Sequence, residues 1–183
     1  MKKRVFLSKD FLQQVLQHLD LNWHLVNVYN IEKYKSQDVE DLAQLFTNTI
    51  HNVNSKDYTK EQIESWAPTK IDYKKWKNRF EKTKPYIVKN NNKIVGFFEF
   101  ENNGHIDCFY VHHNYQRKGV GNIMMSKIIN IAKEKKLDEV FAEVSITAKP
   151  FFEKNLFVVE RKNIAIRDNV DLINYIMTRQ VYT

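Results

Sequence analysis

The four glycines of this 183-residue chain all lie between positions 96 and 121, and two of them fall in Gln116-Arg117-Lys118-Gly119-Val120-Gly121. That segment stands where a strand pattern hands over to a long helical one, so the fold must present bare backbone at a strand-to-helix turn. Successive amide N–H groups can approach an anion there, and the helix N-terminus adds partial positive charge, an arrangement suited to a pyrophosphate. Two common phosphate loops are excluded. A P-loop needs Lys-Ser/Thr after its second glycine, where this chain has Asn122-Ile123, and a dinucleotide fingerprint needs a third small residue where Met124 stands.

The patterns on either side define the fold class. Residues 8 to 19 read as a helix with Ser8 as N-cap and Phe11, Leu12, Val15, Leu16 and Leu19 on its apolar face, and residues 25 to 34 as a strand. Asp38 opens a helix with Val39, Leu42, Phe46 and Ile50 at helical spacing. Thr59 and Gln62 form a capping box for a short helix that stops at Trp66-Ala67-Pro68, and residues 72 to 82 make another. Strands at 85–89, 94–101 and 105–111 then form a meander with turns at Asn90-Asn91-Asn92 and Asn102-Asn103-Gly104. After the glycine segment, Val120, Met124, Ile128 and Ile131 line one helix face. A strand at 138–145, a helix opened by Pro150, and strands at 156–166 and 170–180 complete an α+β chain with a mixed, mostly antiparallel sheet and helices on both faces. No repeat, linker or low-complexity tract divides it. The expected organisation is a helical arm over residues 1–25, free to pack on the domain or to contact a second copy in a homodimer, and one domain over 26–183.

Composition narrows the function classes. Hydrophobic residues at 43% and aromatics at 13% exclude a disordered tail, and no run of about 18 apolar residues exists to span a bilayer. The basic start Met1-Lys2-Lys3-Arg4 is followed by only Val5-Phe6-Leu7 before Ser8-Lys9-Asp10, too short for a signal-peptide core, so the expectation is a cytoplasmic protein with no membrane partner. The lone Cys108 excludes an internal disulfide and a cysteine-based zinc cluster. The net charge of +7 comes from 29 Lys and Arg scattered among 22 acids rather than from a basic stripe, which argues for compositional bias over a nucleic-acid partner; the same charge would attract the phosphates of a nucleotide-like cofactor.

The residues of the glycine segment resemble the acyl-CoA loop of the GNAT superfamily of N-acetyltransferases, Gln/Arg-x-x-Gly-x-Gly/Ala, with Gln116, Gly119 and Gly121 in the matching places. The resemblance extends over about residues 26 to 180. It includes Phe151-Phe152-Glu153-Lys154-Asn155-Leu156-Phe157, similar to the family's Phe-Tyr-Glu-Lys-x-Gly-Phe helix. Residues 58–68 and 106–111 further resemble a bacterial, YafP-like subgroup. The resemblance implies an enzyme that uses acetyl-CoA as cosubstrate and an amine as acceptor. It places the cosubstrate against Phe109, Tyr110 and Val111, against Gln116, Arg117, Lys118, Gly119, Val120, Gly121 and Asn122, and against Phe152 and Lys154. The amides of residues 117–122 would hold the pyrophosphate, Val111 N–H would polarise the thioester carbonyl, and Arg117, Lys118 or Lys154 would reach the 3′-phosphate. Trp66, Tyr73 and Trp76 lie where family members cover the acceptor, or else pack in the core.

The chain departs from the family in two places. Phe152 stands where many members carry the tyrosine that protonates the departing thiolate, leaving solvent, Ser145, Thr147 or Tyr110 for that role. Leu156 replaces the motif glycine, with Asn155 expected to supply the left-handed helix end. A lysine amine with pKa near about 10.4 is neutral in about one molecule in 2,500 at pH 7, and an α-amine near about 7.8 in about one in seven, so a lysine-like acceptor needs a base. Alternation along 105–111 puts His105, Asp107, Phe109 and Val111 on one face, making Asp107, with His105 or Glu99, the expected proton acceptor, and turning Cys108 away from any covalent role. His112-His113 is expected to point apart along an extended segment, so no metal site is expected. The readings in contention are a small-molecule or peptide-amine acetyltransferase, an acetyltransferase of protein N-termini or lysines, and a catalytically weak acyl-CoA-binding regulatory module.

Overall fold

The computed structural model describes residues 29–182. The expected helix at 8–19, the arm over 1–25 and the start of the first strand lie outside them. Among the described residues the chain forms β1 (Tyr29–Lys33), α1 (Val39–Val53), α2 (Lys60–Trp66), α3 (Tyr73–Thr83), β2 (Tyr86–Asn90), β3 (Lys93–Phe100), β4 (Ile106–Val111), α4 (Val120–Glu134), β5 (Glu139–Ser145), α5 (Lys149–Lys154), β6 (Val158–Arg167) and β7 (Val170–Gln180). Local chemistry explains most boundaries. Thr59 Oγ1 accepts from Gln62 N–H at 3.2 Å while Gln62 Oε1 accepts from Thr59 N–H at 2.9 Å, the reciprocal capping box that starts α2. Asp72 caps α3 by accepting from Lys75 N–H at 2.9 Å. Asp38 differs from expectation: it precedes α1, but its carboxylate turns back to Lys35 N–H at 2.8 Å and makes no bond into the helix it opens.

The mixed, mostly antiparallel sheet is present, divided into two halves. Antiparallel pairing orders one half β1-β2-β3-β4 and the other β5-β7-β6. Parallel neighbours β4 and β5 meet through one bridge, His105 to Phe141, with Phe141 N–H bonded to Gly104 O at 3.0 Å. Beyond it, among the described residues, the edge of β4 pairs with no other strand. Helices cover both faces. Val88, Val95 and Phe98 pack with Met124, Ile128, Phe152 and Met177 against α4 and α5, while Ile87, Ile94 and Phe97 pack with Leu42, Phe46, Ile50 and Phe80 against α1 and α3. Leu42, Ile50, Phe80 and Ile87 are fully buried, each contributing about 1.5–3 kcal/mol of transfer free energy. Gly96 sets how closely α4 approaches β3: a Cβ there would lie 2.8 Å from Met124 Sδ and 3.0 Å from Val120 Cγ1.

The end of α5 corrects one expectation. Asn155 has φ −96°, and Leu156 itself takes the left-handed conformation at φ 66°. Asn155 instead ties the helix end, donating through Nδ2 to Phe151 O at 2.9 Å. A left-handed backbone costs a branched residue about 1–2 kcal/mol, and the Leu156 side chain is 69% exposed, so its burial returns little. Leu156→Gly is therefore expected to raise stability by about 0.5–1 kcal/mol after allowance for the looser unfolded chain. A urea-unfolding midpoint equal to or below that of the parent protein would contradict this.

Candidate active site

The open edge of β4 is the first element of the site. His112 N–H, at the end of β4, donates to Val95 O at 2.9 Å. Because successive residues of a strand address opposite edges, Val111 turns its N–H and C=O away from β3, toward the side where β5 has diverged. The Val111 carbonyl is occupied on that side: Gln116 Nε2 donates to it at 2.8 Å and Thr49 Oγ1 at 3.1 Å. The Gln116 side chain is thus directed at the end of β4. The Val111 side chain and Phe109 face α4 and α5, and the Phe109 ring lies 5.5 Å from both Phe151 and Phe152.

The glycine segment follows. Arg117 (φ 61°) and Gly119 (φ 86°) take left-handed backbone, and Gly119 forms the N-cap of α4. Ile123 N–H to Gly119 O, 3.1 Å, is the first bond into that helix, so the amides of Val120, Gly121 and Asn122 have no turn behind them to accept their hydrogens. The two glycines are bare for different reasons. A Cβ on Gly119 would meet no atom within 4 Å, leaving the approach to these amides open, whereas a Cβ on Gly121 would lie 3.0 and 3.1 Å from the Phe151 ring. Arg117 and Lys118, next to Gly119 in the chain, are exposed, as is Lys154 at the end of α5, and Lys118 Nζ sits 5.1 Å over the Tyr115 ring. Phe152 is 3% exposed and packs edge-on against Phe157 at 4.9 Å, so this position is part of the core.

The opposite face of β4 departs from the sequence expectation. Phe98 pairs with Phe109 and Phe100 with Ile106, so two steps along β3 face three along β4. This bulge breaks the alternation: Asp107 and Cys108 both turn toward α3, while Phe109 and Val111 point to the other face. Arg79, which sequence reasoning missed, joins them. Its guanidinium bonds Asp107 and Glu99, with Nε 3.1 Å from each Glu99 oxygen and Nη2 3.5 Å from Cys108 Sγ. Thr83 Oγ1 donates to Glu99 Oε1 at 2.7 Å. Burial opposes the Arg79 charge, but the Glu99 bonds and the nearby anionic groups overcome it and hold the guanidinium pKa above its ordinary value. Glu99 is 2% exposed and Asp107 38%. Cys108 shares the Asp107 side after all, but burial pushes its thiol pKa well up, which leaves it a poor nucleophile. Oxygen and sulfur atoms of Glu99, Asp107 and Cys108 lie within 4.8 Å of one another, and the cation already among them is Arg79.

His105 is separate from this cluster. Its Nε2 pairs with Glu143 at 2.6 Å and its Nδ1 lies 3.4 Å from Glu101, at the bridge between the sheet halves, with the ring 5.0 Å from Phe141. Ser145 Oγ accepts from Ala148 N–H at 3.1 Å, shaping the turn into α5. His112 and His113 do not point apart: the chain has left the strand for a 3-10 turn, and their rings stack at 4.3 Å. Above Cys108, the Tyr110 ring lies 4.7 Å from Phe46, and its hydroxyl pKa is pushed up, foremost by burial, even though it is hydrogen-bonded with Trp66. Trp76 stacks on Phe80 at 4.9 Å, and Tyr73, 37% exposed, has its hydroxyl 3.1 Å from Gln44 Nε2. No sequence signal marks Arg79 among the lysines of α3, nor Thr49 within α1.

Comparison with known proteins shows the family and the fold. A model of the acetyltransferase (GNAT) domain matches residues 54–179. The chain is 30% identical over 143 residues to the uncharacterized N-acetyltransferase YafP of Escherichia coli (strain K12), covering 78% of this chain and 90% of that protein. Among solved structures, a GCN5-related N-acetyltransferase from Rhodopseudomonas palustris superposes with a TM-score of 0.78 at 26% identity over 82% of this chain and 94% of its own. The PaiA N-acetyltransferase from Thermoplasma acidophilum, solved in complex with coenzyme A, superposes with a TM-score of 0.63 at 21% identity over 84% and 99%. Among the described residues no helix is long and apolar enough to cross a membrane.

Proposed function

The chain belongs to the GNAT acetyltransferase family, and from that premise we propose that it transfers an acetyl group from acetyl-CoA to a primary amine of a small molecule or peptide by direct attack. The observation that carries this reading is the open β4 edge leading into the Gly119 turn. The edge offers Val111 N–H to the thioester carbonyl, and the turn offers the Val120, Gly121 and Asn122 amides, with the positive end of α4, to the pyrophosphate. Arg117, Lys118 and Lys154 add positive charge for the remaining phosphate. The amine approaches from the Asp107 face, between Trp66 and Tyr73. Its nitrogen bonds to the acetyl carbon as the carbon–sulfur bond breaks, Asp107 accepts the amine's proton directly or through water, and the thiolate takes a proton from solvent.

Asp107 is assigned this role over Glu99 because it is accessible, while Glu99 is enclosed by Arg79 and Thr83. Asp107→Asn is expected to lower kcat at least about 100-fold, the lower end of a positioned base's contribution, with the KM for acetyl-CoA changed less than about twofold. An unchanged kcat and pH profile would remove Asp107 from the mechanism. Acetyl-CoA at one hundred times its dissociation constant should also stabilise the purified protein by about 2.7 kcal/mol, seen as a raised unfolding midpoint, and free thiol should be released when a panel of small amines is added.

The buried Phe152 favours a second reading, a regulatory domain that binds acyl-CoA and turns it over weakly, since no hydroxyl stands at that position. Tight CoA binding without thiol release, across small amines, peptides and protein lysines alike, is its signature.

A further inference from the structure

We infer that the acceptor is an amino acid whose free carboxylate docks on Arg167, at the tip of the β6–β7 hairpin, while its amine is held at Asp107. The inference rests on the acceptor placement proposed above and names the class of amine. Ala165, Trp66, Trp76 and Tyr110 all pack against the core on the α1 and α3 side of the sheet. Pairing with β7 is regular from Arg161 to Arg167, so Arg167, two residues beyond Ala165, leaves the strand on that same face. The tip is fixed in place. Asp168 (φ 47°) and Asn169 (φ 62°) supply the left-handed pair that a two-residue hairpin loop requires. Behind the tip, Gln62 Nε2 donates to Asp171 O at 2.7 Å and the Tyr58 hydroxyl donates to Ile173 O at 2.6 Å. Tyr58 in turn packs edge-on against Trp66 at 5.4 Å, which ties the hairpin to the wall of the acceptor face.

Arg167 is exposed, and among the described residues no carboxylate forms an ion pair with it. Its charge nevertheless reaches into the site. Burial is the main influence on the Tyr110 hydroxyl and pushes its pKa up, and the Arg167 charge is near enough to oppose that rise. The other guanidinium of this face, Arg79, is committed to Glu99 and Asp107. The acceptor face therefore carries an accessible carboxylate, Asp107, and an unpaired guanidinium, Arg167, with Tyr110 and Trp66 on the same side of the sheet. Such a pair of charges is complementary to an amino acid, since the guanidinium fork matches a carboxylate and Asp107 receives the amine. A peptide N-terminus or a protein lysine has its own carboxyl tied up in an amide and gains nothing from Arg167.

The test measures acetyl transfer to the common α-amino acids and to straight-chain ω-amino acids of graded length, each beside its carboxamide, by the parent protein, Arg167→Gln and Arg167→Lys. The parent protein should favour the best acid over its amide by about tenfold in kcat/KM, expressed in KM, the scale of one charge-assisted hydrogen bond. Arg167→Gln should lose most of that preference while the KM for acetyl-CoA and the unfolding midpoint hold, and Arg167→Lys should keep part of it. Acid and amide differ in amine pKa, but comparing the acid-to-amide ratio between parent and variant cancels that difference. A parent protein that treats acids and amides alike, or turns over only amines without a carboxylate, overturns the inference. So does an Arg167→Gln variant with the parent preference intact. Binding of CoA without thiol release for any amine, free or peptide-bound, overturns the amine-transfer reading and the inference with it, an outcome distinct from turnover that ignores Arg167.

Discussion

Arg79→Met is expected to destabilise the protein by about 3–5 kcal/mol, the cost of leaving a buried ion without its partner. Glu99 is 2% exposed on β3, and Arg79 supplies its cation and most of its hydrogen bonds, leaving Thr83 Oγ1 as the other donor. Methionine keeps most of the apolar stem of arginine, so the loss falls on charge and hydrogen bonding rather than packing volume. With a total stability of about 5–15 kcal/mol for a domain of this size, the single variant approaches the unfolding limit at growth temperature. Adding Glu99→Gln should recover more than half of the loss, because a neutral amide in that place no longer needs a cation. Urea unfolding of the parent protein, the two single variants and the double variant measures this. If Arg79→Met and Glu99→Gln simply add, the pair is not coupled and Glu99 does not depend on Arg79 for its cation. Asp107, 38% exposed, would lose its partner too, but water screens it, so its share of the stability loss is small.

Gly119→Val should abolish acetyl-CoA binding, with a loss of at least about 100-fold, while the fold survives. At φ 86° a branched residue carries about 1–2 kcal/mol of backbone strain. No atom lies within 4 Å of the added Cβ, so no steric term is added inside the protein. The side chain would instead stand over the approach to the Val120, Gly121 and Asn122 amides, displacing a phosphate from the N-terminus of α4. Gly121→Val is the contrasting control: its Cβ presses on Phe151 at 3.0 Å, so it should cost stability as well as affinity. Titration calorimetry with CoA, alongside the unfolding midpoint, separates the two. Binding by Gly119→Val within about threefold of the parent protein would move the pyrophosphate away from this turn.

The glycine segment, the capping box at Thr59 and Gln62, the meander turns and the apolar face of α4 were all legible in the linear chain. Each is a short-range pattern, a cap three residues long or a period of two or about 3.6, whose physical cause lies within one turn of backbone. From these patterns follow the element order, the α+β class, and the placement of bare backbone between β4 and α4. The side-chain partners were not legible. Alternation assigned Asp107 to the face of Phe109 and Val111, and one bulge opposite Glu99 reversed it. Arg79 meets Glu99 across 20 positions and Asp107 across 28, and Thr49 meets Val111 across 62. Such pairings depend on which faces the packed sheet brings together and where β4 parts from β5, and a periodic pattern carries no record of either. Local sequence thus determined the elements and the glycine turn between β4 and α4 of this protein. Tertiary packing alone decided which carboxylate is exposed, which is buried behind Arg79, and what holds the Val111 carbonyl, because burial and long-range hydrogen bonding exist only once the two sheet halves and their helices have closed on each other.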